Sequence, residues 1–396
     1  MNDSIERESF ASVERKTFVF IERESFAINV SGSIAKNAFA PIERVSFGFI
    51  ERVIAGFFKT GFSFSDLLDN SLEKPLVFAV SGGVDSMTLL HACSLIAAKT
   101  AKKKRKPYRF EVLTIDHSLR PKSESARDAQ AVADFCKTLP NTACTIITLG
   151  AGQAENTAKL RGRGIEEAAR FLRYEAFEKF AAEKNAACVC TAHTQDDQAE
   201  TVLFRFLQGS ANIGAIKSVR GIFVRPMLEI SREDIVRYAE ANKIEYCVDK
   251  TNEENRYARN KIRNILIPHL NEHFFGWKKA VLSGNEKFED TADFIGDSIG
   301  GAFSWTEKSE NMLAMSAKEF YALHRVMRRE ALYRALELLK SSKRIPYYLI
   351  SDAISERKAN EKLHVNSSGI VIERKKKEIL VYKQTLLKKP ISNQNT

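Results

Sequence analysis

Residues 77–91 read VFAVSGGVDSMTLLH, and this stretch decides the fold class. Apolar residues typical of a buried strand lead into Ser81 and two glycines, and a second apolar run typical of a helix follows. Because glycine lacks a Cβ, backbone N–H groups in such a turn can converge on an anion, and the helix N-terminus favours phosphate. The stretch lacks the lysine of a Walker A loop and the GxGxxG pattern of a dinucleotide loop. The simplest alternative is an ordinary strand–turn–helix junction with Asp85 or Ser86 as the N-cap.

From about Leu67 onward, strand-like and helix-like segments alternate. We predict strands at Leu76–Val80, Phe110–Ile115, Cys144–Leu149 and Ala187–Thr191, and helices at Met87–Lys99, Ala126–Leu139, Ile165–Glu183 and Asp196–Leu207. Repeated βα units of this kind favour an α/β fold, with a parallel sheet covered on both faces. Ligands of such sheets bind at the carboxyl ends of the strands, where the predicted strands deliver Ser81, Asp116 and His193.

The strand signal fades after about Trp277. Residues 284–356 are predicted to be mostly helical, most clearly at Glu319–Lys340, and a hairpin is predicted at Leu363–Ile372 and Glu378–Tyr382. We therefore expect a nucleotide-binding catalytic domain at 66–277, a smaller, mainly helical domain with a terminal hairpin at 278–384, and a polar tail at 385–396.

The first 60 residues contain a short repeat. The motif IERESF of residues 5–10 recurs in similar form at 13–18, 21–26 and 42–47, and a fifth copy begins at Ile50. Copies within a run start eight residues apart, a spacing that is neither a heptad nor a solenoid unit. We interpret residues 1–60 as a disordered, low-complexity extension, and a short interaction arm is the alternative.

Composition and charge predict the kind of partner and the cellular compartment of the protein. The net charge of +11 and the pI near 9.2 favour a polyanionic partner, most commonly nucleic acid. The sequence contains neither an apolar run long enough to span a membrane nor the pattern of a signal peptide. Its six cysteines include no CxxC pair, which is typical of a reduced, cytoplasmic protein.

Ser-Gly-Gly-x-Asp-Ser after a short strand resembles the pyrophosphate loop of the PP-loop ATP pyrophosphatase superfamily. The resemblance implies an adenine nucleotide α-hydrolase-like fold and an enzyme that cleaves ATP between its α and β phosphates and passes AMP to an oxygen. It also implies that Asp85 binds Mg²⁺, for which a carboxylate is a suitable ligand. The ATP-binding residues implied are Ser81, Gly82, Gly83, Val84, Asp85, Ser86, Asp116 and His117.

Further stretches narrow the resemblance. They are TIDHSLR at 114–120, AARFLRY at 168–174, TAHTQDDQAET at 191–201, and DKTN at 249–252 followed by RNKIR at 259–263. Together, in this order, they are similar to the tRNA(Ile)-lysidine synthetase family. The similarity implies that ATP adenylates the C2 oxygen of the wobble cytidine in a tRNA(Ile) with a CAU anticodon. The amine of free L-lysine then displaces AMP.

The resemblance assigns Asp197 and Glu200 to lysine binding, and either could deprotonate the attacking amine. Their spacing of three puts both on one face of a helix. His193 is expected to contact the adenylated intermediate. The residue types alone leave two alternatives open, because acidic residues are common in a first helical turn and His-x₃-Asp-x₂-Glu could also bind a metal.

Four arginines complete the expected site. Arg173 is expected to take part in catalysis, and Arg120, Arg259 and Arg263 to bind tRNA, through phosphates or the unstacked nucleotide. Surface ion pairs are the alternative for these residues. The run Lys102–Lys106 could contact the tRNA backbone, although such runs are usually solvated loops.

The sequence departs from the family pattern at Thr194-Gln195, where His-Leu is usual. A PP-loop tRNA thiolase is one rival interpretation, but it would ordinarily need CxxC pairs or a persulfide cysteine. A glutaminase-fed synthetase would need a further region, and a non-catalytic RNA-binding module remains compatible with the basic charge. Dimers occur in the family, so a homodimer is possible, but nothing in the sequence pattern establishes one.

Overall fold

The computed structural model of the 396-residue chain describes residues 41–116, 122–150, 152–162, 164–209, 214–247, 258–298, 303–340, 346–355, 363–367, 369–375 and 377–384. They divide into two compact units, with a boundary between Leu282 and Ser283, and the short segment Gly209–Gly214 belongs to the second unit. Several predictions fall outside the described residues and stay predictions: the repeats before residue 41, His117, Arg120, the motif at 249–252 and the tail at 385–396.

The first unit is built from helices around one sheet. Its helices are α1 (Pro41–Lys59), α2 (Phe64–Asp69), α3 (Val84–Lys104), α4 (Lys122–Thr138), α5 (Gln153–Arg161), α6 (Ile165–Glu183), α7 (Gln195–Leu207), α8 (Arg232–Ala241), α9 (Ala258–Lys261) and α10 (Ile267–His273), with a π-helical turn at Ile262–Leu266. The unit boundary falls inside α11 (Trp277–Ser298). The strands are β1 (Leu76–Ala79), β2 (Phe110–Asp116), β3 (Thr142–Thr148), β4 (Cys188–Cys190), β5 (Val219–Arg220) and β6 (Phe223–Val224).

The sheet has the order β3-β2-β1-β4-β6-β5, and every neighbouring pair is parallel except β5 with β6. The predicted α/β fold with a parallel sheet is therefore confirmed. The chain proceeds from β1 toward β2 and β3 on one side and returns to β4 on the other side. Such a reversal creates a crevice at the carboxyl ends of the two central strands, which is where α/β proteins bind ligands.

Both faces of the sheet are covered by helices. Successive residues of a strand point to opposite faces, so β1 contributes side chains to a core on each side. Leu76 and Phe78 belong to a large core that also contains buried side chains of α1, α3 and α8. Val77, between them, packs in a second core with Phe180 and Ala181 of α6. This double covering holds β1 rigidly, and with it the glycine loop that follows.

Helix α1 corrects the expectation that residues 1–60 form a disordered extension. It occupies residues 41–59 and includes the last two copies of the repeat. Phe49, Ile50, Val53 and Phe57 are buried in the core of the first unit. The low-complexity pattern hid this helix, because Ile50 and Val53 belong to the repeat but also form a buried helical face with Phe49 and Phe57.

The second unit contains a five-stranded antiparallel sheet with the order β7-β8-β11-β10-β9. Its strands are β7 (Thr306–Ser309), β8 (Met312–Ser316), β9 (His364–Ser367), β10 (Ile370–Lys375) and β11 (Glu378–Lys383), and its further helices are α12 (Ala317–Ala322), α13 (Arg325–Leu338) and α14 (Tyr347–Ala353). The predicted hairpin turn is confirmed by the pairing of β10 with β11, but its predicted first strand, Leu363–Ile372, covers β9 and the start of β10, which also pair antiparallel. No helix in the described part of the chain is long and apolar enough to cross a membrane.

Two details of the second unit differ from the sequence prediction. The first difference is that β7 and β8 lie in a region predicted to be mostly helical. Three adjacent residues of β8 are buried, so its sequence lacks the alternation of apolar and polar residues by which a strand is recognised. The predicted helix Glu319–Lys340 is interrupted at His324, whose Nδ1 accepts a hydrogen bond from the N–H of Val326 at 3.3 Å and caps α13.

Candidate active site

The loop between β1 and α3 presents unused backbone donors. Gly82 has φ of 84°, in the left-handed region that glycine adopts without strain. Gly83 is the N-cap of α3 and supplies no side-chain hydrogen bond. Neither Asp85 nor Ser86 is therefore the cap, and the first-turn N–H groups are left to an anion.

Two serines and a later segment fix the shape of this loop. The N–H of Ser81 donates to Oγ of Ser86 at 3.2 Å, and that hydroxyl donates to the carbonyl of Gly83 at 3.0 Å. The N–H of Cys247 donates to the carbonyl of Gly82 at 2.9 Å. The loop is held from both sides in the conformation that its glycines permit.

Asp85 follows the loop with one carboxylate oxygen paired and the other free. Its Oδ2 accepts from NH1 of Arg232, the first residue of α8, at 2.7 Å. Its Oδ1 is buried and has no hydrogen-bond partner among the described residues. Burial raises the pKa of Asp85 to about 6, partly offset by Arg232 and reinforced by the charge of Asp197. A buried, unpartnered carboxylate oxygen fits the expected cation ligand.

Asp197 is held by the N-terminus of α7. Thr194 caps this helix: the N–H of Asp197 donates to Oγ1 of Thr194, and Oδ2 of Asp197 accepts from the N–H of Thr194 at 2.8 Å. This reciprocal arrangement is a capping box with Asp in place of Glu. The departure from the family pattern at Thr194 thus has a structural consequence, because threonine supplies the cap that orients Asp197.

Glu200 lies one turn further along α7 and is 6% exposed. Arg263, in the π-helical turn, donates from Nε and NH2 to its two oxygens at 2.6 and 2.9 Å. Burial raises the pKa of Glu200, and Arg263 opposes the shift. Arg263 also approaches Asp197, whose Oδ1 lies 3.6 Å from Nη2 of Arg263. The guanidinium of Arg259 lies 5.4 Å from the centre of the Phe204 ring.

His193 follows β4 and is kept neutral. Its Nδ1 lies 3.0 Å from Oγ1 of Thr191. Burial lowers its pKa to about 4, and the charges of Arg225, Arg170 and Arg173 lower it further, while that of Asp197 opposes them. A neutral imidazole can donate and accept hydrogen bonds but carries no charge at physiological pH.

The three arginines near His193 form an electropositive cluster. Arg225, directly after β6, is 3% exposed and donates from NH1 to the carbonyl of Lys217 at 2.6 Å. The Nε atoms of Arg225 and Arg173 are buried without a hydrogen-bond partner among the described residues. Arg170 contacts the ring of Tyr174. Buried cations without a paired carboxylate favour binding of an anion.

The structure brings most of the predicted site residues to one end of the sheet. Asp85, His193, Asp197, Glu200 and Arg263 are linked by contacts or by the charges acting on their pKa values. Among the described residues, no group of three or more His, Cys, Asp or Glu side chains is arranged to hold a metal ion.

Of the other predicted residues, Asp116 lies at the same carboxyl edge of the sheet as the loop, whereas Lys102–Lys104 lie away from it. Asp116 ends β2, next to β1 in the sheet. Lys102–Lys104 lie at the far end of the 21-residue α3, about 30 Å from the loop by helical rise. Sequence reasoning missed Arg225 and Arg232. A cation directly after the strand β6 could have revealed Arg225, but a two-residue strand is too short to recognise.

The chain is similar in sequence to one family of known proteins. A family model described as a PP-loop domain matches residues 59–270. A tRNA(Ile)-lysidine synthase of Treponema denticola is 36% identical over 325 residues, covering 81% of this chain and 68% of the relative. One of Borreliella burgdorferi (strain ZS7) is 29% identical over 321 residues, covering 80% and 70%. The U34-tRNA thiolase NcsA from Methanococcus maripaludis has a TM-score of 0.48 and 16% identity, covering 62% of this chain and 80% of that one.

Proposed function

The chain belongs to the tRNA(Ile)-lysidine synthase family of PP-loop ligases, and from that premise we propose that it joins free L-lysine to C2 of the wobble cytidine in tRNA(Ile) with a CAU anticodon. ATP first adenylates the C2 oxygen, releasing pyrophosphate, and the lysine amine then displaces AMP. The modified base changes codon reading from AUG to AUA. A cytoplasmic site of action follows from the proposal, because tRNA, lysine and ATP meet there.

The first proposed step uses the loop after β1. The unused N–H groups at the start of α3 and the fixed backbone of Gly82 and Gly83 would bind the pyrophosphate portion of ATP. Asp85 would hold Mg²⁺ through its unpartnered Oδ1. The ion would offset the negative charge of the phosphates as the bond between the α and β phosphates breaks.

Formation of the adenylate needs an acceptor oxygen close to the α phosphate. The neutral His193 and the arginines whose charges act on it, Arg173 among them, would face this phosphate as it is attacked. Preorganised guanidinium groups stabilise charge that develops on phosphate. A neutral imidazole beside them adds a hydrogen bond and no further positive charge.

The second proposed step uses the acidic residues of α7. Asp197 and Glu200 would bind the cationic lysine, with Asp197 held by its cap and Glu200 by Arg263. The raised pKa of Glu200 suits a group that accepts a proton from the attacking amine. We assign no separate metal to this step, since the charge of the leaving AMP can be met by the arginines near His193.

The tRNA would contact a basic surface of the protein. The net charge of +11 supports a polyanionic partner, and an anticodon loop is single-stranded, so its wobble base can be unstacked into a pocket. Arg120 and Arg259 are proposed tRNA contacts, and the helical region 278–384 is a proposed tRNA-binding domain.

The observation that carries the proposal is the placement of Asp85, Asp197 and the Glu200–Arg263 pair at the carboxyl ends of β1 and β4. We test it by measuring release of AMP and pyrophosphate from ATP, with tRNA(Ile) and lysine each present or omitted. Release that requires both supports the proposal. Release that persists without tRNA, or that needs glutamine or a sulfur donor in place of lysine, would refute it. Asp85→Ala should abolish release, because it removes the only carboxylate at the loop's first helical turn.

A further inference from the structure

The loop after β1 lacks the lysine with which a Walker A loop reaches the outer phosphates of a nucleotide. We propose that Arg232, contributed by α8, supplies this missing cation and binds the β and γ phosphates of ATP while it holds Asp85. The inference rests on the use of ATP in the proposed function, but it concerns a residue that the motifs of the sequence did not identify.

The first argument is position. NH1 of Arg232 lies 2.7 Å from Oδ2 of Asp85, so the guanidinium sits beside the first turn of α3. Any polyphosphate bound by the loop's N–H groups and by a cation on Asp85 must lie close to this guanidinium. The residue is 147 positions from Asp85 along the chain, which explains why no local motif revealed it.

The second argument is the free capacity of the side chain. A guanidinium has five N–H donors, and only the bond to Asp85 engages this one within the described part of the chain. The side chain is 57% exposed. The other guanidinium near Asp85, that of Arg263, is already bonded to both oxygens of Glu200. Arg232 is therefore the cation at the loop that has donors to spare.

The third argument is that the backbone of Arg232 is anchored while its side chain is not enclosed. Its N–H donates to Oδ2 of Asp196 at 2.8 Å, and Oδ1 of Asp196 accepts from Nζ of Lys278 at 2.6 Å. Ser231 caps α8 through the N–H of Asp234. A long side chain on a fixed base can turn toward a ligand with little loss of backbone order.

The alternative is an ordinary surface ion pair between Arg232 and Asp85, which would contribute little to either folding or binding. The two interpretations differ in which ligands should feel the loss of the guanidinium. A cation for the outer phosphates acts on pyrophosphate and ATP, which contain them, and not on AMP, which does not. A residue that only holds Asp85 in place acts on all ligands that need that pocket.

The test is calorimetric titration of the full chain with inorganic pyrophosphate, ATP and AMP in the presence of Mg²⁺. We expect Arg232→Gln to weaken binding of pyrophosphate and ATP about tenfold or more, as loss of charge-assisted hydrogen bonds does, and AMP less than about twofold. Arg232→Lys should recover part of the loss. Arg237→Gln is the control, because Arg237 lies on the same helix and pairs with Asp234 and not with Asp85. It should bind all three ligands like the wild type.

Two results would overturn the assignment of Arg232: unchanged pyrophosphate affinity in Arg232→Gln, or equal weakening of AMP and ATP. Failure of the proposed function would give a different pattern of results from failure of the Arg232 assignment. If the wild type makes no lysidine yet its ATP affinity depends on Arg232, the function is wrong and this inference stands. If the wild type makes lysidine and Arg232→Gln binds pyrophosphate normally, the inference alone is wrong.

Discussion

Arg263 donates to both carboxylate oxygens of Glu200, at 2.6 and 2.9 Å, across 63 residues of sequence. The pair joins a residue expected to bind tRNA to one expected to bind lysine. Burial raises the pKa of Glu200, and the guanidinium of Arg263 opposes this shift and favours the ionised carboxylate. Arg263 therefore has a direct influence on the proposed lysine site, whatever contact it makes with RNA.

This pairing predicts strong coupling between substitutions at the two positions. Glu200→Gln and Arg263→Gln should each raise the KM for lysine, and the double variant should be less impaired than the product of the two, by about 1–2 kcal/mol of coupling. Steady-state kinetics at varied lysine concentration measure this. Arg259→Gln is the matched control, because among the described residues Arg259 acts on Glu200 only through its charge and donates no hydrogen bond to it. This variant should alter the KM for tRNA instead. Strictly multiplicative effects would show that the pair does not act as a unit.

The lowered pKa of His193 predicts a defined dependence of stability on pH. The unfolded chain takes up a proton near pH 6.5 while the folded chain does so only near pH 4, so stability from this group is present above pH 6.5 and is lost as the pH falls toward 4. His193→Asn should remove this component, so the free energy of unfolding lost between pH 7 and pH 5 should be smaller in the variant by roughly 2 kcal/mol. Urea unfolding at pH 7 and pH 5 measures the difference. An identical loss of stability in wild type and variant would contradict a neutral, protected imidazole.

Substitution of two glycines in helix α1 tests how this helix packs. A Cβ on Gly56 would stand 1.7 Å from the carbonyl oxygen of Pro226, whereas one on Gly48 would meet nothing within 4 Å. We expect Gly56→Ala to lower the free energy of unfolding by about 3 kcal/mol, because neither backbone can give way. Gly48→Ala should be neutral or stabilising by up to about 1 kcal/mol, as alanine favours helix. Equal urea midpoints for the two variants would mean that α1 does not pack as described.

Arg328 is expected to be essential for the stability of the second unit. It is 5% exposed and donates to the carbonyls of Leu323, Ile354 and Tyr321 at 2.9, 3.0 and 2.7 Å. Arg328→Ala leaves these carbonyls without their donor and should destabilise the unit by about 3 kcal/mol or more. Arg334→Ala, at an exposed position of the same helix, is the control. Calorimetry of the two variants would contradict this role if both melted at the wild-type temperature.

The residues show why sequence reasoning reached some features and not others. The strand, glycine loop and helix around Asp85 are local, so spacing and residue type predicted them. β5 and β6 have two residues each, too few for periodicity, and Arg225 after β6 was missed with them. The partners of Asp85 and Glu200, which are Arg232 and Arg263, come from distant segments of the chain. The sequence around Arg232 predicts the start of a helix, but it does not indicate which residue the side chain of Arg232 contacts.

The most direct test of the central proposal is mass analysis of the anticodon nucleosides of tRNA(Ile) with a CAU anticodon, after incubation with the protein, ATP and L-lysine. We expect the wobble cytidine to gain the mass of one lysine less one water, and to do so only when ATP is present. Asp85→Ala should leave the nucleoside unmodified. A wobble cytidine of unchanged mass with active protein and all substrates, or a mass gain that corresponds to sulfur, would contradict the account.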